Sequence, residues 1–184
     1  MKKLLLMCVL GLFCMESFAD GLKSVVDSSD NVLTVKVNGT EDIKRIPVEV
    51  NMSNPSVPMT CVQCYLQLSD TMAVFCQDKE SNSYLFSRTP RWKEQHHVLL
   101  AWDTKHHRQS LMAMVVSSLS DNFTGTAGPV LTVYVDGSSL ADGTYSVRLF
   151  DANMVWTDKR KICSYLTPES TAVFNVVNGR LQIP

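Results

Sequence analysis

From residue 33 onward, apolar side chains return at every second position: Leu33, Val35 and Val37, then Ile46, Val48 and Val50, then Val62, Cys64, Leu66 and Leu68, and later Leu131, Val133 and Val135. Side chains of an extended chain alternate between two faces, so each set marks a strand with one face buried and the other turned to solvent. Runs over 72–77, 98–103, 110–117, 144–151 and 172–177 fit the same period. Turn residues separate them, with Asn38-Gly39, Asn54-Pro55, Asp136-Gly137, Asp142-Gly143 and Asn178-Gly179. The pattern predicts an all-β fold, a two-sheet antiparallel β-sandwich of jelly-roll kind with about nine strands. Residues 111–119 are apolar enough to imitate a helix, but Val115-Val116 and the serines after them suit a strand. Polar and charged residues crowd around Pro90 over 78–95, which predicts a long loop.

The first residues bear on compartment. Lys2 and Lys3 lead into an apolar run over 4–15, and Ser17-Phe18-Ala19 puts small residues where a signal peptidase inspects the chain. This predicts a signal peptide over 1–19, cut between Ala19 and Asp20, a linker over 20–30 and one sandwich domain over 31–184. No small residue stands directly before Cys8 or Cys14, so soluble export is expected rather than a lipid anchor. No later run reaches the roughly 20 apolar residues of a membrane-spanning helix. The expected location is outside the cytoplasm: periplasmic, extracellular or at the cell surface. A formal charge of −1 without a basic run gives no surface for nucleic acid.

Cys61 and Cys64 form a CxxC, the spacing of redox pairs and zinc half-sites. A redox pair sits at a helix N-terminus and a zinc pair in a tight turn, whereas this one falls on a predicted strand. Residues three apart on a strand face opposite sides, which puts Cys64 in the core with Leu66 and Leu68 and turns Cys61 outward. The period also places Cys76 on one face with Met72 and Val74, predicted inward. Buried free thiols or a disulfide between Cys64 and Cys76 are the alternatives that these phases leave open.

No constellation for catalysis or metal binding emerges. His96-His97 and His106-His107 flank one strand, about 25–30 Å apart if extended, and each pair splits its rings between two faces, which suits surface or turn positions. The aspartates sit at strand ends and turns, where their own backbone bonding favours them. There is no Gly-x-Ser-x-Gly elbow, and Phe123-Thr124-Gly125-Thr126-Ala127-Gly128 precedes a strand rather than the helix a phosphate loop needs. The expectation is no enzyme, no metal and no cofactor. Trp102 is in phase with Val98 and Leu100 and is expected in the core. Trp92, between Arg91 and Lys93 in the polar loop, is the candidate for ring stacking on a ligand.

Two longer segments resemble a known family. In IPVEVNMSNPSVPMTCVQCYLQL, alternating valines, a loop and the strand 62–68 are similar to the opening of a cohesin-like domain. In FTGTAGPVLTVYVDGSSLADGTYSVRLFDANMVWTD, the turn Phe123, Gly125 and Gly128 and the run Leu140-Ala141-Asp142-Gly143-Thr144-Tyr145 resemble that family's later half. The resemblance spans residues 31–177 and is to cohesin-like domains of secreted proteins of gut Bacteroidetes. Cys64 and Tyr65 stand where the family carries an aromatic and an acidic residue, and Ser69 where proline is common. The resemblance implies a secreted, non-catalytic binding domain with a protein partner of dockerin type, or a glycan partner. A structural module pairing through its sheets is the alternative, with a hydrolase a distant third.

Overall fold

A computed structural model describes residues 30–40, 42–103, 110–117, 121–158 and 161–184. The predicted leader, its cleavage between Ala19 and Asp20, most of the linker and the pair His106-His107 lie outside the described residues.

Two antiparallel sheets face each other across one core. The first holds β1 (Val32–Val37), β2 (Ile46–Ser53), β8 (Ala127–Asp136) and β4 (Val74–Phe75) in that order, with β5 (Phe86–Ser87) also on β8. The second runs β12 (Arg180–Gln182), β11 (Ser170–Val177), β9 (Gly143–Asp158), β3 (Cys61–Leu68), β7 (Ser110–Val116) and β6 (His97–Trp102), with β10 (Lys161–Thr167) also on β9. Alternation fills the space between them: Leu33, Val35, Val48, Val50, Leu66, Leu131, Val133, Leu149 and Met154 are buried in one cluster. The sandwich is as predicted, but the described residues hold twelve strands rather than about nine: β5 and β12 are too short to give a periodic signal, and β10 lies outside the predicted runs. Among the described residues the only helical turn is the 3-10 turn Ile43–Arg45, and no helix could cross a membrane.

Two bulges shape the sheets, one beneath the 78–95 loop and one in the longest strand. Asn51 pairs with Pro129 and Val50 with Leu131, so Val130 is the extra residue of β8. Its carbonyl, left out of the ladder, accepts the indole N–H of Trp92. In β9, Gln63 pairs with Asn153 and Tyr65 with Phe150, and Asp151 sits between them at φ 43°. This second bulge reverses the strand's phase: Val147 and Leu149 point inward before it, Ala152, Met154 and Trp156 after it. It also divides one edge of β9 between two partners, β11 over 143–149 and β10 beyond the bulge.

The loop over 78–95 is tied down by Arg91. Its guanidinium is buried and donates to the carbonyls of Thr124 (2.8 Å), Met52 (2.8 Å), Gly125 (2.9 Å) and Gly128 (3.3 Å) and to Asn54 Oδ1 (2.6 Å). Gly125 and Gly128 have φ of 69° and 121°, which a side chain would oppose, and this lets the turn present its carbonyls to one cation. Thr124, Gly125 and Gly128 of the turn that Phe123 opens thus receive the Arg91 side chain.

His96, expected at a surface or turn, is buried against Phe123, with ring centroids 4.4 Å apart, while His97 is exposed. Its Nδ1 accepts the Lys93 N–H at 2.9 Å, and Nε2 is buried with no partner. Burial pushes its pKa below the ordinary histidine range; the Lys93 and Arg88 charges add to this and Asp121 opposes it. The unfolded chain therefore takes up the proton first, so stability is full above about pH 6.5 and declines as pH falls below it. Urea midpoints between about pH 7.5 and 5.5 should fall in the parent and fall less in His96→Asn, which keeps an acceptor for Lys93 without a titrating ring. Equal slopes would mean that His96 does not carry the effect.

Candidate binding face

The outer side of the second sheet is apolar where an antiparallel sheet normally turns polar side chains to water. Register fixes which residues share it. On β3, the positions opposite to Val62, Cys64 and Leu66 are Cys61, Gln63 and Tyr65, and they face Val116, Met114 and Met112 of β7. Those in turn face His97, Leu99 and Ala101 of β6. On the other flank, Val155, Asn153 and Phe150 of β9 lie beside Cys61, Gln63 and Tyr65. Tyr65 and Phe150 are neighbours with ring centroids 5.5 Å apart, and Arg148, held by Glu169 at 2.6 Å, lies over the Phe150 ring. Met114 and Phe150 are nearly buried although they point away from the core, since their neighbours are as large as they are.

Among the described residues, three polar atoms in this face have no partner. Gln63 Oε1, Asn153 Oδ1 and Thr157 Oγ1 are buried without a hydrogen bond, and all three residues are on the outer side. A buried acceptor without a donor costs roughly 1–3 kcal/mol, so such atoms are rare unless something binds to them. The Tyr65 hydroxyl is held above its ordinary pKa, first by desolvation and then by the Asp103 and Asp151 carboxylates, while a hydrogen bond with the Gln63 side chain, which leaves Gln63 Oε1 open, opposes the shift. It stays a neutral donor and acceptor at the rim.

The geometry of Cys61 and Cys64 is not that of a redox pair. Cys61 and Cys64 point to opposite faces of β3, as predicted, and burial pushes both thiols up to about 12, so neither ionises near neutral pH. Cys61 is buried rather than exposed, because Val116 and Val155 flank it on a central strand. The phase expected for 72–77 is reversed: Ala73 and Phe75 point inward, while Met72 and Val74 are 57% and 52% exposed. Cys76 shares the outward phase of Val74 and its thiol approaches the Lys44 carbonyl at 3.5 Å. It therefore cannot reach Cys64 in the core, and Cys61, Cys64, Cys76 and Cys163 are all reduced thiols.

The tryptophans divide differently from expectation. Trp102 keeps the phase of Val98 and Leu100 but stands past the rim of the sandwich, 49% exposed. Trp92 is partly buried, with Phe86 stacked at 6.2 Å and the Arg88 guanidinium 5.1 Å from its centroid. Trp156 is core.

No protein-family model matches the chain, and no curated protein matches it in sequence. Solved structures do match in fold. A cohesin module of a family 33 glycoside hydrolase from Clostridium perfringens superposes with a TM-score of 0.55 at 7% identity, covering 78% of this chain and 95% of that one. A type I cohesin from Pseudobacteroides cellulosolvens gives 0.55 at 11% identity, over 76% and 90% of the two chains. A type I cohesin–dockerin complex from Clostridium thermocellum gives 0.52 at 11% identity, over 82% and 97%. At such identities the likeness is one of architecture: the chain has the cohesin fold.

Proposed function

We propose that this chain is an exported, non-catalytic binding module whose outer β6-β7-β3-β9 face docks a folded protein partner of dockerin type. The observation that carries the reading is the set of unpartnered acceptors on Gln63, Asn153 and Thr157 in an apolar surface. An apolar face that excludes water while leaving acceptors open suits a partner that brings both apolar side chains and donors. Four strands span about 15 Å at 4.8 Å each, a width suited to a helix pair or a small domain rather than to one sugar ring. A neighbour in fold was solved with a dockerin on it, which supports the same class of partner. The leader residues Lys2, Lys3 and the run over 4–15 support export.

The test is a binding screen of the purified protein against a panel of dockerin modules, with a glycan array beside it. Binding of a dockerin that is lost on Met114→Lys supports the reading. A glycan hit alone would move the partner to sugars, and silence on both would sink recognition in favour of an assembly role.

A further inference from the structure

β6 ends the second sheet, and among the described residues nothing pairs with its free side. Apart from β10, a seven-residue strand paired among the described residues only with β9, the other sheet margins are guarded. β4 and β5 have two residues each, β12 has three, and β1 carries Lys36. β6 is six residues long, HVLLAW, with no lysine, arginine, acid, proline or glycine. Such an edge is a template for another strand.

The direction of each backbone group on this edge follows from two hydrogen bonds. Asp103 N–H donates to the Ser110 carbonyl at 3.0 Å, in register with the β6–β7 pairs His97 to Val116 and Trp102 to Leu111. Groups in an antiparallel ladder alternate sides, so residues 97, 99, 101 and 103 bond to β7. Val98, Leu100 and Trp102 turn their N–H and C=O away from the sheet. The bond from Ser117 N–H to the Thr60 carbonyl gives the same parity from the far side of β7.

We propose that a second copy of this chain completes this edge, its β6 running antiparallel to the first about a two-fold axis through Leu100. Only even-numbered residues have free groups, so they must pair with one another. Centring on Leu100 uses the whole strand: Leu100 meets Leu100 and each Val98 meets Trp102, giving up to about six backbone hydrogen bonds. The side chains fit the same register. Trp102, whose exposed ring borders a depression of about 200 Å³ with Val74, Phe75 and Tyr84, receives the β-branched Val98 as its cross-strand neighbour. On the outer side Leu99 meets Ala101, large against small. His97 falls opposite Asp103, so no like charges meet along the strand. The occupant is a second copy because the strand complements itself in size and charge, and the dimer would carry two outer faces on one continuous sheet.

Sedimentation velocity and amide exchange by NMR on the purified protein, from about 10 µM to about 1 mM, test this. The mass should double with concentration. The amides of Val98, Leu100 and Trp102 should gain roughly tenfold or more protection in the dimer, while those of Leu99 and Ala101 stay unchanged. Leu100→Pro removes an N–H that β7 does not use and should give a folded monomer. Should that variant fail to fold, Trp102→Glu should weaken dimerisation by at least about tenfold with the fold intact. A monomer throughout the range overturns the proposal. So does a dimer whose Val98, Leu100 and Trp102 amides exchange as in dilute solution, or one that Trp102→Glu leaves unchanged.

Discussion

Replacing Arg91 by alanine should lower stability by about 3–5 kcal/mol, a fall in Tm of roughly 10 °C or more for a chain of this size. The effect is large because one side chain satisfies acceptors from three separate segments: Met52 and Asn54 at the end of β2, Thr124 and Gly125 in the turn before β8, and Gly128 within β8. No carboxylate faces the guanidinium in these contacts, so the carbonyls and the Asn54 amide compensate its desolvation. Burial lowers its pKa, but the group remains charged. Deleting it strands those acceptors in a site where only entering water can replace it. Arg91→Lys should recover less than half of the loss, since an ammonium cannot reproduce the planar fork that reaches Thr124 on one side and Asn54 on the other. Thermal unfolding of the three proteins checks this, and a lysine variant as stable as the parent would mean that charge alone, not geometry, holds the loop.

Nothing in the sequence marks Arg91 for this role. An arginine in a polar loop reads as solvated, and its acceptors are mainly backbone carbonyls, which carry no residue signature. The sheets themselves are legible wherever one face is buried and the other wet, as in β1, β2, β3 and β8. The periodicity of β9 breaks off at Asp151 because the bulge there reverses the phase, so residues beyond it no longer continue the earlier alternation. The 72–77 run misleads for the opposite reason: Met72 and Val74 are apolar but exposed, and only Ala73 and Phe75 face the core. Trp102 obeys the phase of its strand but lies beyond the core's edge, a boundary that periodicity does not contain. The outer face does leave a signal. The stretch Ser110–Val116 is apolar on both phases, which makes it resemble a helix. In an antiparallel sheet such a strand puts apolar side chains on both faces, where one face is normally polar.

Substituting Asn153→Leu and Thr157→Val should move stability and binding in opposite directions. Each removes a buried acceptor that has no donor among the described residues, Asn153 Oδ1 or Thr157 Oγ1, and Asn153→Leu also removes a residue that strands disfavour. The unbound protein should therefore gain about 1 kcal/mol per substitution, read as a higher urea midpoint. A dockerin module that binds the parent should bind the double variant at least about tenfold more weakly, because its donors would then be desolvated against apolar groups. Leu66→Ala in the core differs in kind, since emptying a packed site costs about 2–5 kcal/mol without touching the outer face. If the double variant loses stability, these acceptors have partners in solution and the face is a finished surface. If it gains stability and binds as before, the contact lies elsewhere on the sandwich. Gain in the one measurement with loss in the other is what a face kept open for a partner requires, because the cost of holding bare acceptors in the free protein is recovered only in the complex.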